Sequence, residues 1–333
     1  MRTAIRTFTA TAGIVAALTW TGCSNDAGDI IPQENRPDIS FLAQQTRSAA
    51  NTLSDLKARD FTVYGAWCAG ASYTSSENFL FDNVPVSWTG QKWDYTPKKN
   101  WADGKCYRFC AYWPGSSSLH MDGSLETGVS LNGFLLNADA ALTDDLLLSD
   151  MTEIATPDPI TDMMPPVALS FHHALCRIMV RIRKAAESAD AFQLSGVTIS
   201  NVPSAGNVTL TRQEGDSNME WSQQTRPIAY SHNTFTTATL PADGTPVSIW
   251  DEGLMLIPCN PSGATLSVRF RVTHDGKTTA QTANIPLPAL PVWESGQTYR
   301  YTAVLEQDYK IIFEEPAVEP WGAEQAGGTI IIR

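Results

Sequence analysis

The sequence predicts an all-β protein made of two β-sandwich domains in tandem. Three observations carry that prediction. Short apolar runs with a period of two recur along the chain, and no segment sustains a helical period. Turn formers are plentiful, with 22 Gly and 20 Pro among many Trp, Tyr and Phe residues. Hydrophobic residues make up 43% and charged residues 17%, enough apolar matter for a core and too few charges for a disordered chain. A length of 333 residues suits two ordinary domains, and no repeat of solenoid length is visible.

The first residues read as an address. Arg2 and Arg6 precede a weakly apolar run, Phe8 to Trp20, too short to span a bilayer as a mature helix. It ends at Thr21-Gly22-Cys23, which has the form of a lipobox, although Trp20 stands where Leu is usual. The expectation is a signal peptide over 1–22 and lipidation of Cys23, whose two or three chains would anchor the protein stably. The plainer reading is a secretory signal with a chance Cys. A polar, Pro-containing tether follows from Ser24 to Asp38, then a short apolar run, Ile39-Ser40-Phe41-Leu42.

Clear strands begin at Phe61 to Trp67 and recur at Tyr107 to Trp113, closed by Pro114-Gly115. Between them Trp88, Trp93, Tyr95 and Trp101 are spaced as in a half-buried hairpin. Leu146 to Leu148 reads as a strand, and Thr156 to Pro166 as a loop. Val167, Leu169 and Phe171 form one apolar face, but from Cys176 the set is Cys176, Ile178, Val180 and Ile182, opposed by Arg177, Arg181 and Arg183. The parity changes at His172-His173. A straight strand cannot do this; a bulge or a strand that changes sheets can. A polar stretch then places the domain boundary near 186, with domains over 48–186 and 187–333. In the second half, Gly196 to Val202, Asn207 to Thr211, Leu254 to Pro258, Leu266 to Val272, Tyr299 to Leu305, Lys310 to Phe313 and Thr329 to Ile332 read as short strands.

Several chemistries find no support. A net charge of -12 leaves no electrostatic footprint for nucleic acid. Removing residues 1–47 takes away four cations and four anions, so the acidity belongs to the folded part. Five Cys remain beside Cys23, an odd number, and Cys106 and Cys110 would lie about 13 Å apart on one strand face. They read as buried apolar residues. No nucleophile elbow, metalloprotease helix, phosphate loop or dinucleotide motif occurs. His172 and His173 should point to opposite faces, and Asp144-Asp145 and Glu314-Glu315 read as solvated turns rather than acid–base pairs. Neither an enzyme nor a cofactor is expected.

Six stretches, in order, carry a resemblance: Cys23-Ser24-Asn25-Asp26; Thr46-Arg47-Ser48 upstream of Phe61 to Trp67; Arg108 to Pro114; Leu169 to Ile178; Trp293-Glu294-Ser295-Gly296-Gln297-Thr298-Tyr299; and Val318-Glu319-Pro320-Trp321-Gly322. Together they resemble the fimbrillin-like lipoproteins, subunits of type V pili in anaerobic Gram-negative bacteria. The resemblance implies two transthyretin-like sandwiches and a structural, accessory or tip role in a pilus. It implies export as an outer-membrane lipoprotein, cleavage after an Arg by a trypsin-like protease, and partnership with other pilin subunits through donated strands.

Physical reasoning assigns the parts. Residues 23–47 would be tether and propeptide, with Ile39 to Leu42 as a placeholder strand. Arg47, before Ser48, lies in a polar Gln/Ser/Ala-rich stretch accessible to a protease. Arg36 precedes Pro37, a poor bond to cut, and Arg59, the second candidate after Arg47, should be protected by folding. Gly327-Gly328 is a hinge before Thr329, Ile330, Ile331 and Ile332, a β-branched segment suited to β-augmentation. It could equally be an ordinary final strand within its own chain. The alternatives are a monomeric surface lipoprotein that binds glycans through exposed Trp side chains, and a hydrolase with a dispersed site.

Overall fold

The computed structural model describes residues 36–45, 56–139, 143–213, 216–235, 239–250 and 252–321. The expected all-β class is the one observed. Three sheets hold nearly all the regular structure among these residues. The first has eight strands, in the order β1 (Phe41–Gln45), β10 (Val167–His173), β8 (Leu147–Ser149), β5 (Lys105–Trp113), β2 (Phe61–Ala69), β3 (Asn78–Trp88) and β4 (Trp93–Asp94), with β9 (Thr152–Ala155) also on β5. The second has β14 (Val247–Ser248), β11 (Cys176–Lys184), β18 (Gln297–Leu305) and β19 (Ile311–Phe313), with β15 (Leu254–Leu256) on β11 and β20 (Ala317–Pro320) on β18. The third runs β17 (Lys277–Pro286), β16 (Thr265–His274), β12 (Ala191–Gln213), β7 (Gly128–Leu135) and β6 (His120–Ser124), with β13 (Asp216–His232) on β12.

Two apolar cores explain this arrangement. The smaller lies inside the first sheet and gathers Phe41, Phe61, Phe81, Trp93, Trp101, Phe109 and Phe171. The larger joins the other face of that sheet to the second and third sheets. β5 serves both: Tyr107, Phe109 and Ala111 enter the smaller core, while Cys106, Cys110 and Tyr112 enter the larger. A strand buried on both faces reads as a nearly continuous apolar run. Arg108, the cation within its buried stretch, is satisfied, donating to Glu153 Oε2 at 3.1 and 2.6 Å and to the Leu125 carbonyl at 2.6 Å.

The change of parity at His172-His173 is a change of sheet. β10 belongs to the first sheet and β11 to the second, with only Ala174 and Leu175 between them. Both sheets satisfy the polar groups of this crossover. Ala174 N–H donates to Leu146 O at 2.8 Å, and Leu175 O accepts from Gly296 N–H at 2.9 Å. Trp221 Nε1 and Ser295 Oγ both donate to Ala174 O. Strands on either side of residue 186 share sheets, since β11 pairs with β18, and β7 with β12. The two short strands expected at Gly196 to Val202 and Asn207 to Thr211 are parts of one long strand, β12. It bends at irregularities between Ser200 and Val202 and between Ala205 and Asn207. All five cysteines among the described residues are free, and four are buried.

Candidate functional site

The site is the groove filled by β1. This strand runs parallel to β10, with Phe41 opposite Val167 and Gln45 opposite Phe171. Alternation sets its two faces. Ile39, Phe41 and Ala43 are buried, while Leu42 is 42% exposed. The Phe41 ring meets Phe61, Phe81, Tyr95 and Phe109 edge-on, with centroids 5.3 to 6.3 Å away. Burying Ile39 and Phe41 contributes roughly 3–6 kcal/mol before ordering costs.

The segment before β1 is clamped from the opposite end of the sheet. Ile39 N–H donates to Lys99 O at 2.8 Å, and Trp101 N–H donates to Pro37 O at 3.1 Å. Tyr95 Oη donates to Ile39 O at 2.7 Å. Asn100 Nδ2 donates to Arg36 O at 2.7 Å and Asp38 Oδ1 at 3.0 Å. The two ends of the sheet thus meet around the smaller core. Arg36 closes the clamp: its buried guanidinium pairs with Asp103 and donates to Ile160 O at 3.1 Å. Burial pushes the Tyr95 phenol up to about 12; the Lys99 backbone contact pulls it down and the charge of Asp38 adds to the rise. The phenol is therefore a neutral donor at ordinary pH.

The expected placeholder, Ile39 to Leu42, overlaps this docked segment, whose ladder starts at Phe41 and reaches Gln45. Arg36 is shielded by its own ion pair as well as by Pro37. Arg59, expected to be protected, has a side chain 45% exposed and paired with Asp144 at 2.7 Å. Cys23, Arg47, Ser48, Thr329, Ile330, Ile331 and Ile332 lie outside the described residues. Sequence reasoning missed Tyr95, Asn100 and Asp103 as clamp residues, because their partners are some sixty positions away and leave no local pattern.

Other expectations meet clear outcomes. Trp93 and Trp101 are buried in the smaller core, which removes them as exposed sugar platforms. Trp88 is half-buried and carries Lys57 over its ring at 4.1 Å. His172 and His173 do point apart, to Asp150 at 2.9 Å and Asp145 at 2.5 Å. Asp145 is buried rather than solvated, because His173 holds it. A cleft of about 910 Å³ lies beside this pair, lined by Asp150, His172, Ser217, Glu294 and Trp321. Trp321, the last described residue, stacks on His173 with ring centres 4.1 Å apart. Among the described residues, no group of three or more His, Cys, Asp or Glu could hold a metal, and no helix is long and apolar enough to cross a membrane.

A profile of a family described as fimbrillin-like matches residues 46–321. Among solved structures, a candidate cell adhesion protein from Bacteroides uniformis is 16% identical with a TM-score of 0.42, covering 87% of this chain and 100% of its own. One from Parabacteroides distasonis is 11% identical with a TM-score of 0.48, covering 86% of this chain and 97% of its own. A candidate polysaccharide-binding protein from Bacteroides thetaiotaomicron is 10% identical with a TM-score of 0.37, over 86% and 97% of the two chains. No curated relative matches.

Proposed function

The chain belongs to the fimbrillin-like family, and from that premise we propose that it is a pilus subunit, stalk or accessory, assembled by strand exchange after proteolysis. The chain is then a pilus-type adhesion protein of the cell surface, with a structural rather than an enzymatic role. The observation that carries the finer reading is the seating of β1. It is an edge strand, its ladder hydrogen bonds run to β10, and one apolar face completes the smaller core.

Arg47 follows the end of β1, Gln45, by two residues in the sequence. A cut after Arg47 would leave β1 held by noncovalent contacts alone. Loss of β1 would expose the edge of β10 and the rings of Phe61, Phe81 and Phe109. A neighbouring subunit's Thr329 to Ile332 has the β-branched character to refill that edge. Two of its three Ile side chains would share the buried face and contribute roughly 3–6 kcal/mol, close to what Ile39 and Phe41 provide. Export as a lipoprotein through Cys23 would deliver the precursor to the outer membrane, where an Arg-specific protease of trypsin-like type would act.

The test is assembly of the purified precursor after limited trypsin treatment, read as ladders on unboiled denaturing gels. Wild type should form ladders, Arg47→Ala should stay monomeric, and a chain ending at Gly328 should fold without polymerising. Ladders from the Arg47 variant or from the shortened chain would overturn the corresponding assignment.

A further inference from the structure

A second surface, on the third sheet, has the chemistry of a ligand site. β12, β16 and β17 contain no Asp or Glu, although the whole chain has 35 of them. Cross-strand register fixes which residues share the outer face. Gln193, Arg271 and Ala280 stand side by side; Gly196, Arg269 and Thr282 form the next row; Thr198, Ser267 and Asn284 the third. The face is thus rich in hydroxyls and amides. It carries Arg269 and Arg271, two residues apart on β16, which places their Cα atoms about 7 Å from each other.

One of the two guanidinium groups, on the exposed Arg269, lies over a glycine. A register shift between Leu194 and Gly196 brings Gly196 opposite Arg269. A Cβ on Gly196 would collide with the Arg269 guanidinium, so the missing side chain is the space in which that group lies. Asn233 Oδ1 accepts from Arg269 Nη2 at 2.5 Å and sets its orientation. Arg271 is exposed and has no acidic partner among the described residues. The trough that includes both measures about 370 Å³ and is walled by Gln193, Ser195, Ala280 and Thr282.

We propose that this face binds a linear acidic polysaccharide, with uronate carboxylates received by Arg269 and Arg271 and sugar hydroxyls by the surrounding Ser, Thr, Asn and Gln side chains. The guanidinium fork matches a planar carboxylate. The acid-free face supplies local charge complementarity on a chain whose net charge is -12. It has no large apolar or aromatic anchor, which separates it from the centre of a protein–protein interface. The surface lies on a different sheet from the β1 groove and stands independently of strand exchange.

The test uses the full chain and calorimetric titration with oligogalacturonate, its neutral methyl ester and dextran sulfate. Oligogalacturonate should bind, weaken with salt, and bind at least tenfold better than the ester. Arg271→Gln and Arg269→Gln should each weaken binding about tenfold. Gly196→Ala should act like the Arg269 variant by displacing its guanidinium, while Arg183→Gln on the second sheet should bind normally. Absence of binding, equal binding of the ester, or wild-type affinity in both variants of the Arg pair would overturn the proposal. Equal binding of dextran sulfate would overturn the carboxylate assignment. A dimer in sedimentation velocity that Arg271→Gln dissolves would assign the face to a second copy instead.

Discussion

β1 and β17 are both edge strands, and they are held in opposite ways. β17 joins its partner β16 through a two-residue turn, Asp275-Gly276, with φ values of 46° and 74°. That is the geometry of a tight hairpin, so its pairing is local and needs little from the rest of the chain. β1 pairs with β10, which lies far along the sequence, and in parallel. It is kept by the buried face of Ile39, Phe41 and Ala43 and by the clamp at Arg36, Tyr95 and Asn100. One strand is secured by covalent neighbourhood, the other by side chains. Only the second kind can be replaced by another strand with similar side chains.

The comparison breaks most sharply at Phe41. Phe41→Ala should cost about 3–4 kcal/mol in urea denaturation, because four rings close on that side chain. Leu42→Ala, on the exposed face of the same strand, should stay within about 0.5 kcal/mol. Equal effects would mean that β1 is held by its backbone alone. The clamp gives a smaller effect with a pH signature. Tyr95→Phe should cost about 1 kcal/mol through the lost hydrogen bond to Ile39 O. An unfolded phenol titrates near 10, and the folded one sits at about 12. The neutral phenol's contribution is complete below the first value and disappears as pH rises through the second. Wild type should therefore lose stability across that alkaline window, followed by circular dichroism, and Tyr95→Phe should lose less. For β17, Gly276→Ala should also cost about 1 kcal/mol, from φ strain alone, and leave the β1 groove intact.

How much of this was legible depended on whether a strand's burial pattern is local. Leu266 to Val272 alternates because one face is wet, and it became β16. The parity change after His173 announced the change of sheet. The apolar run at Ile39 marked the segment that docks as β1. β13 and β17 escaped because they are rich in Ser, Thr, Gln, Asn and Ala, which interrupt a clear apolar alternation, although Asp275-Gly276 was a hairpin cue. The clamp and the buried Asp145 escaped for another reason. They depend on pairings between distant segments, and no spacing in the sequence records which carboxylate a buried His or Arg will meet.

The short passage at Ala174 and Leu175 has a mechanical consequence. Whatever strand sits on β10 is hydrogen-bonded to a strand whose main chain continues through two residues into β11, which lies parallel to β18. β18 in turn carries β20, which ends at Pro320. A pull between the groove and the end of β20 would travel along these strands rather than peel them apart. Many backbone hydrogen bonds would then share the load at once. Lengthening the crossover by a few flexible residues should let the two sheets part under tension while the unloaded fold stays intact.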